Sequence, residues 1–438
     1  MNKKIELEII DISNEGKGIG KAEQLTYFIE GGQIGQKVLC EIVKYKKNFA
    51  EAKVIEVLEE SPYHEDPKCI YANICDGCNF QDINYKKQID IKKSNVINSI
   101  NRIARENLID IEFESCTQRY GYRNKVELKV SPFGHLSYFS RKTNDNVAIK
   151  ECIIAKEKIN RIIESLQSHI LSYELRGYDA RANRGLIKNI MIRSTDYGQS
   201  MVVIVMSEEK NLADFYKDLE NTGLIDSLYI SINSKSNNYR IQKTRLIFGK
   251  EKIMEEMGAY KFLISPKSFF QVNTKQAYKI YQDVKALIEK IKPDNIIDLY
   301  SGISTTSIIL SDTADKILSV EIVDDAVKDG KENAALNKVT NIEFIQDAAE
   351  KAIDKIDLEV ENPMLLVDPP RKGLDENIIY KIGKSKIKNI VYISCNPATL
   401  ARDIKGFKEF GFQIKNIKGY DMFVNTLHVE ALVLMTRE

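Results

Sequence analysis

Long apolar runs are missing from this 438-residue sequence, which has no stretch near the roughly 18 apolar residues that a membrane-spanning helix requires. The polar start, Met1-Asn2-Lys3-Lys4, also lacks the hydrophobic stretch of a secretory signal. These two absences disfavour membrane insertion and secretion. We therefore expect a cytoplasmic protein with no membrane partner.

An excess of charge of one sign is missing too, because 64 lysines and arginines face 63 aspartates and glutamates and leave a net charge of +1. Proteins that bind nucleic acid through their overall charge are strongly basic. Any nucleic-acid surface on this chain must therefore be a local basic patch.

Cysteine usage does not suit a disulfide framework. The seven cysteines are odd in number, and three of them cluster at Cys69, Cys75 and Cys78. In a long chain of cytosolic character, such a cluster favours metal-binding or catalytic thiols over disulfides. The chain is about three times as long as a usual domain, so two or three domains are expected.

Residues 1–58 are predicted to form a small β-domain. Short β-segments over residues 5–10, 25–29, 36–43 and 49–57 are separated by glycines. This pattern is typical of a barrel of the OB type, a fold that binds single-stranded nucleic acid. A β-domain without RNA binding fits the same residues equally well.

Residues 59–255 are predicted to form a second domain of mixed helices and strands. A helix with a lysine-rich face is expected over residues 85–105. The stretches 121–125 and 176–193 are the most basic, and tyrosines accompany the second, which suits phosphate contacts and base stacking. A solvated strand and turn is the alternative interpretation. The five basic residues of the second stretch are Arg176, Arg181, Arg184, Lys188 and Arg193.

Residues 256–438 carry the clearest pattern. Aliphatic runs at 296–300, 317–322, 342–345, 364–367 and 389–394 alternate with helical stretches, which predicts a doubly wound parallel sheet. Two further strands, over 412–420 and 428–435, should pair as an antiparallel hairpin. Ligands of such sheets bind beyond the carboxyl ends of the strands.

Acidic residues close successive strands of this predicted sheet. The first strand leads into a glycine-containing turn over residues 298–305, and Glu321 ends the next strand, where a carboxylate can bind ribose hydroxyls. Asp347 follows the third strand, within reach of an adenine ring. Each acid could instead cap a helix. Because the turn lacks the full G-x-G-x-x-G, an adenosyl cofactor without a pyrophosphate fits best.

A cysteine and a glutamate are predicted to meet at the same edge. Cys395 follows the fifth strand and precedes a helix whose dipole would favour the thiolate, which suits a nucleophile. A buried structural cysteine is the alternative. Glu430 begins the last strand, which should run antiparallel to the others. Glu430 is therefore expected beside Cys395, where it could act as a base.

Five motifs together resemble one family, the S-adenosylmethionine-dependent RNA (uracil-5-)-methyltransferases, and most closely its iron–sulfur branch acting on 23S ribosomal RNA. The matches extend over nearly the whole chain. The motifs are Phe269-Phe270-Gln271-Val272-Asn273, Asp298-Leu299-Tyr300, Asp368-Pro369-Pro370-Arg371, Ser394-Cys395-Asn396-Pro397-Ala398-Thr399-Leu400-Ala401-Arg402-Asp403 and His428-Val429-Glu430.

The resemblance implies a Rossmann-like class I methyltransferase domain, an amino-terminal TRAM domain that binds RNA through an OB-like barrel, and a central α+β domain. It implies that Cys395 adds to C6 of a target uracil and that Glu430 removes the proton from C5. Asp368 would hold the substrate or cofactor edge. The remaining contacts to S-adenosylmethionine are assigned by this similarity to Gln271, Tyr300, Thr305, Glu321 and Asp347.

The resemblance also makes Cys69, Cys75, Cys78 and Cys152 the ligands of a [4Fe–4S] cluster. Spacing alone does not distinguish this cluster from a four-cysteine zinc site. Cys40 and Cys116 are left as packing residues.

A 23S ribosomal RNA target is favoured over transfer RNA by the TRAM-like domain and the four cysteines. No obligate protein partner is implied. The chain departs from the family at Ser304, where a glycine is usual, and at Val424, where proline is frequent. An RNA-binding protein that has lost turnover through Ser304 is the competing hypothesis.

Overall fold

The computed structural model describes residues 3–13, 15–72, 74–140 and 145–438, so Met1 and Asn2 of the polar start lie outside it. Within these ranges, no helix combines the length and the apolar composition needed to cross a membrane.

The amino-terminal region forms a six-stranded sheet in the order β1-β5-β6-β4-β3-β2. Because β1 and β2 are successive parts of one segment, both ends of the sheet lie on the same stretch of chain. The short glycine-rich β3 was not predicted, since it lacks the β-branched residues typical of strands. The strands are β1 (Lys4–Glu8), β2 (Asp11–Ile12), β3 (Gly18–Ala22), β4 (Leu25–Glu30), β5 (Lys37–Tyr45) and β6 (Phe49–Glu59).

The predicted helix over residues 85–105 is observed as α1 (Tyr85–Ala104). The Asn84 side chain caps its start by accepting a hydrogen bond from the Lys87 amide at 3.0 Å. Arg105 ends it in the left-handed conformation, with φ of 54°. Lys92, one of the lysines of this helix, is fully buried.

The central region forms a seven-stranded sheet in the order β10-β9-β8-β11-β12-β13-β14. Its core includes apolar residues of α2 and α3. Strand β7 (Glu112–Glu114) comes first in the chain but pairs in another sheet. The other elements of the central region are β8 (Lys125–Val130), β9 (Leu136–Phe139), β10 (Asn146–Ala148), α2 (Glu157–Ser172), β11 (Ile187–Ser194), β12 (Ser200–Met206), α3 (Ala213–Asn221), β13 (Ser227–Ile232) and β14 (Thr244–Gly249).

The predicted basic surface over residues 176–193 is only partly present. Arg176, Arg181 and Arg184 are exposed. Lys188 and Arg193 are buried, because both lie on β11, an inner strand of the central sheet. The surface available for phosphates is therefore smaller than the sequence indicates.

The carboxyl-terminal region begins with a hairpin and a helix and continues with alternating strands and helices. The elements are β15 (Ile253–Met257), β16 (Tyr260–Ile264), α4 (Thr274–Ile291), β17 (Asn295–Leu299), α5 (Thr305–Ile309), β18 (Lys316–Glu321), α6 (Asp324–Leu336), β19 (Ile342–Gln346), α7 (Ala349–Ala352), β20 (Pro363–Val367), α8 (Glu376–Lys384), β21 (Asn389–Ser394), α9 (Pro397–Lys408), β22 (Gln413–Tyr420) and β23 (Glu430–Thr436).

The large sheet of this region has the order β19-β18-β17-β20-β21-β23-β22-β7. Strands β17 to β21 pair in parallel, and β23 runs antiparallel between β21 and β22, so the predicted parallel sheet and hairpin are confirmed. Helices α4, α5 and α6 contribute to the core on one face, and α1, α8 and α9 to the core on the other. The carboxyl ends of the parallel strands form the edge at which the predicted site residues meet.

Candidate active site

The turn after β17 has an unusual backbone. Tyr300, Gly302 and Ser304 adopt positive φ angles of 65°, 58° and 60°. Beneath the turn, Asp298 is buried and its carboxylate accepts a hydrogen bond from the Ser307 hydroxyl at 2.5 Å. Burial raises the pKa of Asp298 to about 7. The turn is thus supported by a carboxyl group that readily holds a proton near neutral pH.

The side chain of Ser304 is directed into the protein. It is 1% exposed, and its hydroxyl lies 2.7 Å from the hydroxyl of Ser319. A Cβ at Gly330 would come within 2.9 Å of the same Ser304 oxygen, so a glycine there leaves room for the serine. The hydroxyl of Ser304 is therefore accommodated in the core beside the turn.

Glu321 and Asp347 lie at the ends of β18 and β19, as predicted. Glu321 accepts hydrogen bonds from the amides of Gly302 at 3.0 Å and Val323 at 2.8 Å, which joins the turn to the second strand. Asp347 accepts a hydrogen bond from Lys355 at 2.5 Å, and this bond is the main reason why its pKa is lowered. Both acids thus stand along one edge with the turn.

Tyr300 and Thr305 complete this part of the edge. The Tyr300 hydroxyl donates to Glu350 at 3.2 Å, while Thr305 is nearly buried at the start of α5. Burial, followed by the charge of Glu350, raises the pKa of Tyr300. The predicted cofactor contacts after β17, β18 and β19 are therefore neighbours in space.

A second group of acids lies after β20 and at the start of β23. Gln271, in the loop before α4, donates to Asp368 at 3.4 Å. Burial raises the pKa of Asp368 to about 7. Burial also raises the pKa of Glu430 well above its ordinary value, with a further contribution from the charge of Asp368. The buried Glu430 and the partly exposed Asp368 are thus close enough for their charges to interact.

Cys395 lies opposite Glu430. Ser394 pairs with Ala431 across the antiparallel strands β21 and β23, so the next residue beyond each pair member is Cys395 on one strand and Glu430 on the other. The strand register therefore brings Cys395 and Glu430 opposite one another, as the sequence predicts. The thiol is close enough for the Glu430 and Asp368 charges to act on it.

The surroundings of Cys395 oppose the expected thiolate. Burial, followed by the charges of Glu430 and Asp368, raises the pKa of Cys395 to about 11. The charge of Arg371 lowers the pKa but does not outweigh these effects. These effects therefore favour the protonated thiol at neutral pH.

Arg371 borders the reacting side chains. Its guanidinium lies 3.0 Å from Nε2 of His428, and its carbonyl accepts hydrogen bonds from the Asn396 and Thr399 side chains. These contacts join the loop after β20 to the residues that flank Cys395 and Glu430. The Asp368-Pro369-Pro370-Arg371 motif thus has a visible structural role at the edge.

The segment that leads into Glu430 is anchored by α1. The buried ammonium of Lys92 donates to Asp421 at 2.5 Å and to the carbonyl of Phe423 at 3.0 Å. The Tyr85 hydroxyl donates to the other oxygen of Asp421 at 2.8 Å. Sequence reasoning missed this network, because Lys92 and Asp421 are 329 positions apart.

The cysteine-containing segment holds the same loop. Asn79, directly after Cys78, accepts a hydrogen bond from the Leu427 amide at 3.0 Å. The amide of Phe80 donates to the carbonyl of Asn425 at 3.0 Å. The residues after the third cysteine therefore contact the segment that carries His428 and Glu430.

The four predicted ligand cysteines face a common region. Cys75 and Cys78 lie close enough for the charges of Cys69 and Cys152 to act on them. Four thiols from two segments form a donor set suited to a tetrahedral metal site or an iron–sulfur cluster. Among the described residues, however, no group of three or more metal-binding side chains is positioned to share an ion. The sulfurs would have to move closer together to ligate one.

The remaining cysteines pack as expected, since Cys40 and Cys116 are buried. Val424 is also fully buried, and its carbonyl accepts a hydrogen bond from the Tyr122 hydroxyl at 3.2 Å. The departure from proline at this position thus leaves the loop anchored.

Two participants in the edge were not assigned a role from the sequence. Tyr281 on α4 is buried beside the acids, and burial together with the charge of Asp368 raises its pKa. His428 was noted only as part of a motif, although it contacts Arg371 directly. The apolar spacing of α4 indicates that Tyr281 is buried, but not that it faces carboxylates.

Residues 84–438 match the family described as tRNA (Uracil-5-)-methyltransferase, and residues 2–55 match the TRAM domain. An uncharacterized RNA methyltransferase of Clostridium tetani is 34% identical, over 99% of this chain and 96% of the relative. Another, from Clostridium acetobutylicum, is 33% identical over 100% of this chain and 97% of the relative.

A solved structure has a similar fold along the whole chain. It is the tRNA (uracil-54, C5)-methyltransferase of Pyrococcus abyssi in complex with S-adenosyl-L-homocysteine, with a TM-score of 0.78 and 24% identity. The match covers 99% of this chain and 100% of that one. The fold is thus the mixed α/β methyltransferase fold, and the amino-terminal region is a TRAM domain. Since the family match extends over residues 84–438, the chain belongs to the tRNA (uracil-5-)-methyltransferase family and is an S-adenosylmethionine-dependent RNA (uracil-5-)-methyltransferase.

Proposed function

We propose that this enzyme methylates C5 of a specific uridine in 23S ribosomal RNA through a transient bond between Cys395 and C6 of the base. The observation that carries the proposal is the pairing of Ser394 with Ala431, which sets Cys395 against Glu430 at the sheet edge. A nucleophile and a base side by side suit a reaction that first adds to a ring and later removes a proton from it.

The proposed reaction accounts for both side chains. Cys395 first loses its thiol proton to solvent, the thiolate then bonds to C6, and the electron pair of the C5–C6 double bond moves onto the ring as an enolate. C5 then takes up the methyl group, Glu430 accepts the C5 proton, and the C6–S bond breaks as the double bond is restored. The raised pKa of Glu430 makes its carboxylate a stronger base than an exposed one.

S-adenosylmethionine, when bound, supplies an electrophilic methyl group. We propose that Gln271, Tyr300, Thr305, Glu321 and Asp347 hold it, since all lie on the edge described above. Glu321 and Asp347 are carboxylates able to accept hydrogen bonds from a nucleoside. Asp368 would hold the substrate or cofactor at the point where both meet. The inward direction of Ser304 supports a working cofactor turn over a protein that has lost turnover.

Recognition of RNA is proposed to involve three domains, over residues 1–58, 59–255 and 256–438. The sheet of the first domain begins and ends on one segment, which supports closure into an OB-like barrel. The exposed Arg176, Arg181 and Arg184 of the central domain are available for phosphates. Together these contacts would offset the few kcal/mol that unstacking the target base costs.

We further propose that Cys69, Cys75, Cys78 and Cys152 hold a [4Fe–4S] cluster with a structural role. Four thiolates supply all the ligands such a cluster needs, and the reaction itself has no redox step. Protein purified without oxygen should contain iron and acid-labile sulfide and absorb visible light broadly. One zinc ion per chain in place of iron would contradict the assignment.

A transfer RNA target is the second candidate. The observation that favours it is the fold match to a transfer RNA enzyme over the full length of the chain. Because that match includes the TRAM domain and the central domain, these domains do not distinguish a ribosomal from a transfer RNA substrate. Mapping 5-methyluridine in both RNA classes, from cells with and without this gene, tests the proposal. Loss of one modified position in 23S ribosomal RNA is expected, whereas loss confined to transfer RNA would support the second candidate.

A further inference from the structure

A cleft of about 780 Å³ lies between the amino-terminal sheet and α1, away from Cys395. We infer that this cleft binds one unpaired nucleotide of the RNA substrate, with its base stacked on the ring of Phe28 and in edge contact with Phe49. The inference rests on the proposed function, because it takes the substrate to be RNA, and it adds a contact outside the reacting edge.

One wall of the cleft is aromatic. Phe28 on β4 and Phe49 on β6 lie in neighbouring strands, and their ring centroids are 5.4 Å apart at an interplanar angle of 90°. Both side chains are partly exposed. Partly exposed aromatic rings on a β-sheet are suited to stacking with bases of a single strand, whatever the base, since every base has a π-face.

The opposite wall is a polar face of α1. Asn95, Asn98, Ser99 and Arg102 line the cleft at the spacing of one helical face. Amide side chains both donate and accept hydrogen bonds, so Asn95 and Asn98 can pair with the edge of a base held against the rings. The α1 wall can therefore form hydrogen bonds with a base, whereas the aromatic wall can stack on it.

The charges in the cleft favour a base over a phosphate. Lys17 and Arg102 are its two cations, and Asp11, Glu15 and Glu51 are its three carboxylates. Three negative charges against two positive ones do not attract a phosphate group strongly. The same carboxylates can accept hydrogen bonds from exocyclic amines, which uracil lacks. The bound nucleotide is thus recognised by its base.

The cleft has a fixed position relative to the reacting residues. Val96 and Ile100, on a neighbouring face of α1, are fully buried in the same core as apolar residues of α9. Lys92, on the same helix, holds the loop that leads to Glu430. A nucleotide in the cleft would therefore be anchored at a set distance from Cys395, which helps to present the target uridine.

The chain contains no tryptophan, so a single one can report on the cleft. In the full-length Phe28→Trp variant, titration with a single-stranded RNA decamer of mixed sequence should quench the tryptophan fluorescence. A Tyr380→Trp variant, with its probe at a 54% exposed position that packs on Phe410 and does not line the cleft, is the matched control and should change little. Equal responses in the two variants would overturn the inference.

Alanine variants test the same contact without a probe. Phe28→Ala should bind the decamer about tenfold more weakly, the usual effect of removing one stacking partner. Asn98→Ala, at an exposed position where folding is not at risk, should also weaken binding, whereas Ser94→Ala on the same helix should not. Unchanged affinity in both Phe28→Ala and Asn98→Ala would contradict a nucleotide in the cleft.

Methylation of RNA by the unaltered protein separates this inference from the proposed function. If that protein methylates RNA but the tryptophan in the cleft is not quenched, the inference fails and the proposed function stands. If quenching occurs while no uridine is methylated, the proposed function fails and the cleft remains an RNA site.

Discussion

The pKa values of the carboxyl groups are shifted in opposite directions in the two halves of the active edge. After β18 and β19, Glu321 and Asp347 are partly exposed, and the ion pair with Lys355 lowers the pKa of Asp347. Around β20 and β23, Glu430 is buried and Asp368 is partly exposed, and loss of hydration raises the pKa values of both. A carboxylate that stays charged suits the binding of a cofactor, whereas carboxyls with raised pKa values beside a thiol suit proton transfer. Opposite pKa shifts thus separate binding from chemistry within one row of acids.

Glu430→Gln gives the largest expected effect in the reacting half. The amide keeps the size of the side chain but cannot accept the C5 proton, so turnover should fall by about 10² to 10⁴. Methylated RNA should then remain attached to Cys395 as an adduct that survives a denaturing gel. A variant that turns over normally, or that forms no adduct, would remove the assigned role of Glu430.

Lys92→Met tests the buried carboxylate of Asp421, which, unlike that of Glu430, forms an ion pair with a lysine. The substitution leaves Asp421 buried with Tyr85 alone, and the free energy of unfolding should fall by about 3–5 kcal/mol. Urea unfolding measures this change. Lys93→Met, which removes the neighbouring ion pair with Asp110 at the surface, is the control and should change stability little. Similar effects of the two variants would show that burial of the pair is unimportant.

Asp298→Asn tests the raised pKa of a buried carboxyl by its effect on stability against pH. Because the folded protein holds this proton more tightly than the unfolded chain, the stability due to Asp298 is complete below about pH 4. It is lost as pH rises towards the folded pKa of about 7, by at most about 1.4 kcal/mol per pH unit. The free energy of unfolding, measured from pH 4 to 8, should fall with pH more steeply in the parent than in the variant, and the difference is the contribution of Asp298.

Asp347→Asn should produce the smallest effect and the opposite dependence on pH. Its lowered pKa stabilises the protein above the unfolded pKa, and this contribution disappears as pH falls through the folded pKa. Calorimetry should show about tenfold weaker binding of S-adenosylmethionine, because one charged acceptor is lost. Unchanged affinity, matching that of an Asp354→Asn control outside the edge, would remove Asp347 from the cofactor site.

Much of the large sheet could be predicted from sequence. Its strands are short aliphatic runs whose burial on both faces leaves a strong local pattern. The approach of Glu430 to Cys395 followed from the direction of one hairpin, so it needed no knowledge of packing. Local pattern and strand direction were sufficient for these features.

Other features depend on contacts that no local pattern records. Lys92 belongs to a run that looks solvated, and only the distant Asp421 explains why its ammonium is buried. The protonated state of Cys395 was missed because the helix after it argues for a thiolate. Burial raises its pKa most, followed by the charges of Glu430 on β23 and of Asp368 in the loop after β20. In both cases the surroundings formed by distant segments outweigh the local signal.

Trapping with a fluorinated base tests the central claim most directly. RNA carrying 5-fluorouridine at the mapped position has no C5 proton for Glu430 to remove, so the bond between Cys395 and C6 cannot be released after methyl transfer. Incubation with S-adenosylmethionine should give a protein–RNA conjugate on a denaturing gel, and Cys395→Ser should give none. If the protein methylates the matching uridine RNA but forms no conjugate with the fluorinated one, the covalent role of Cys395 is contradicted.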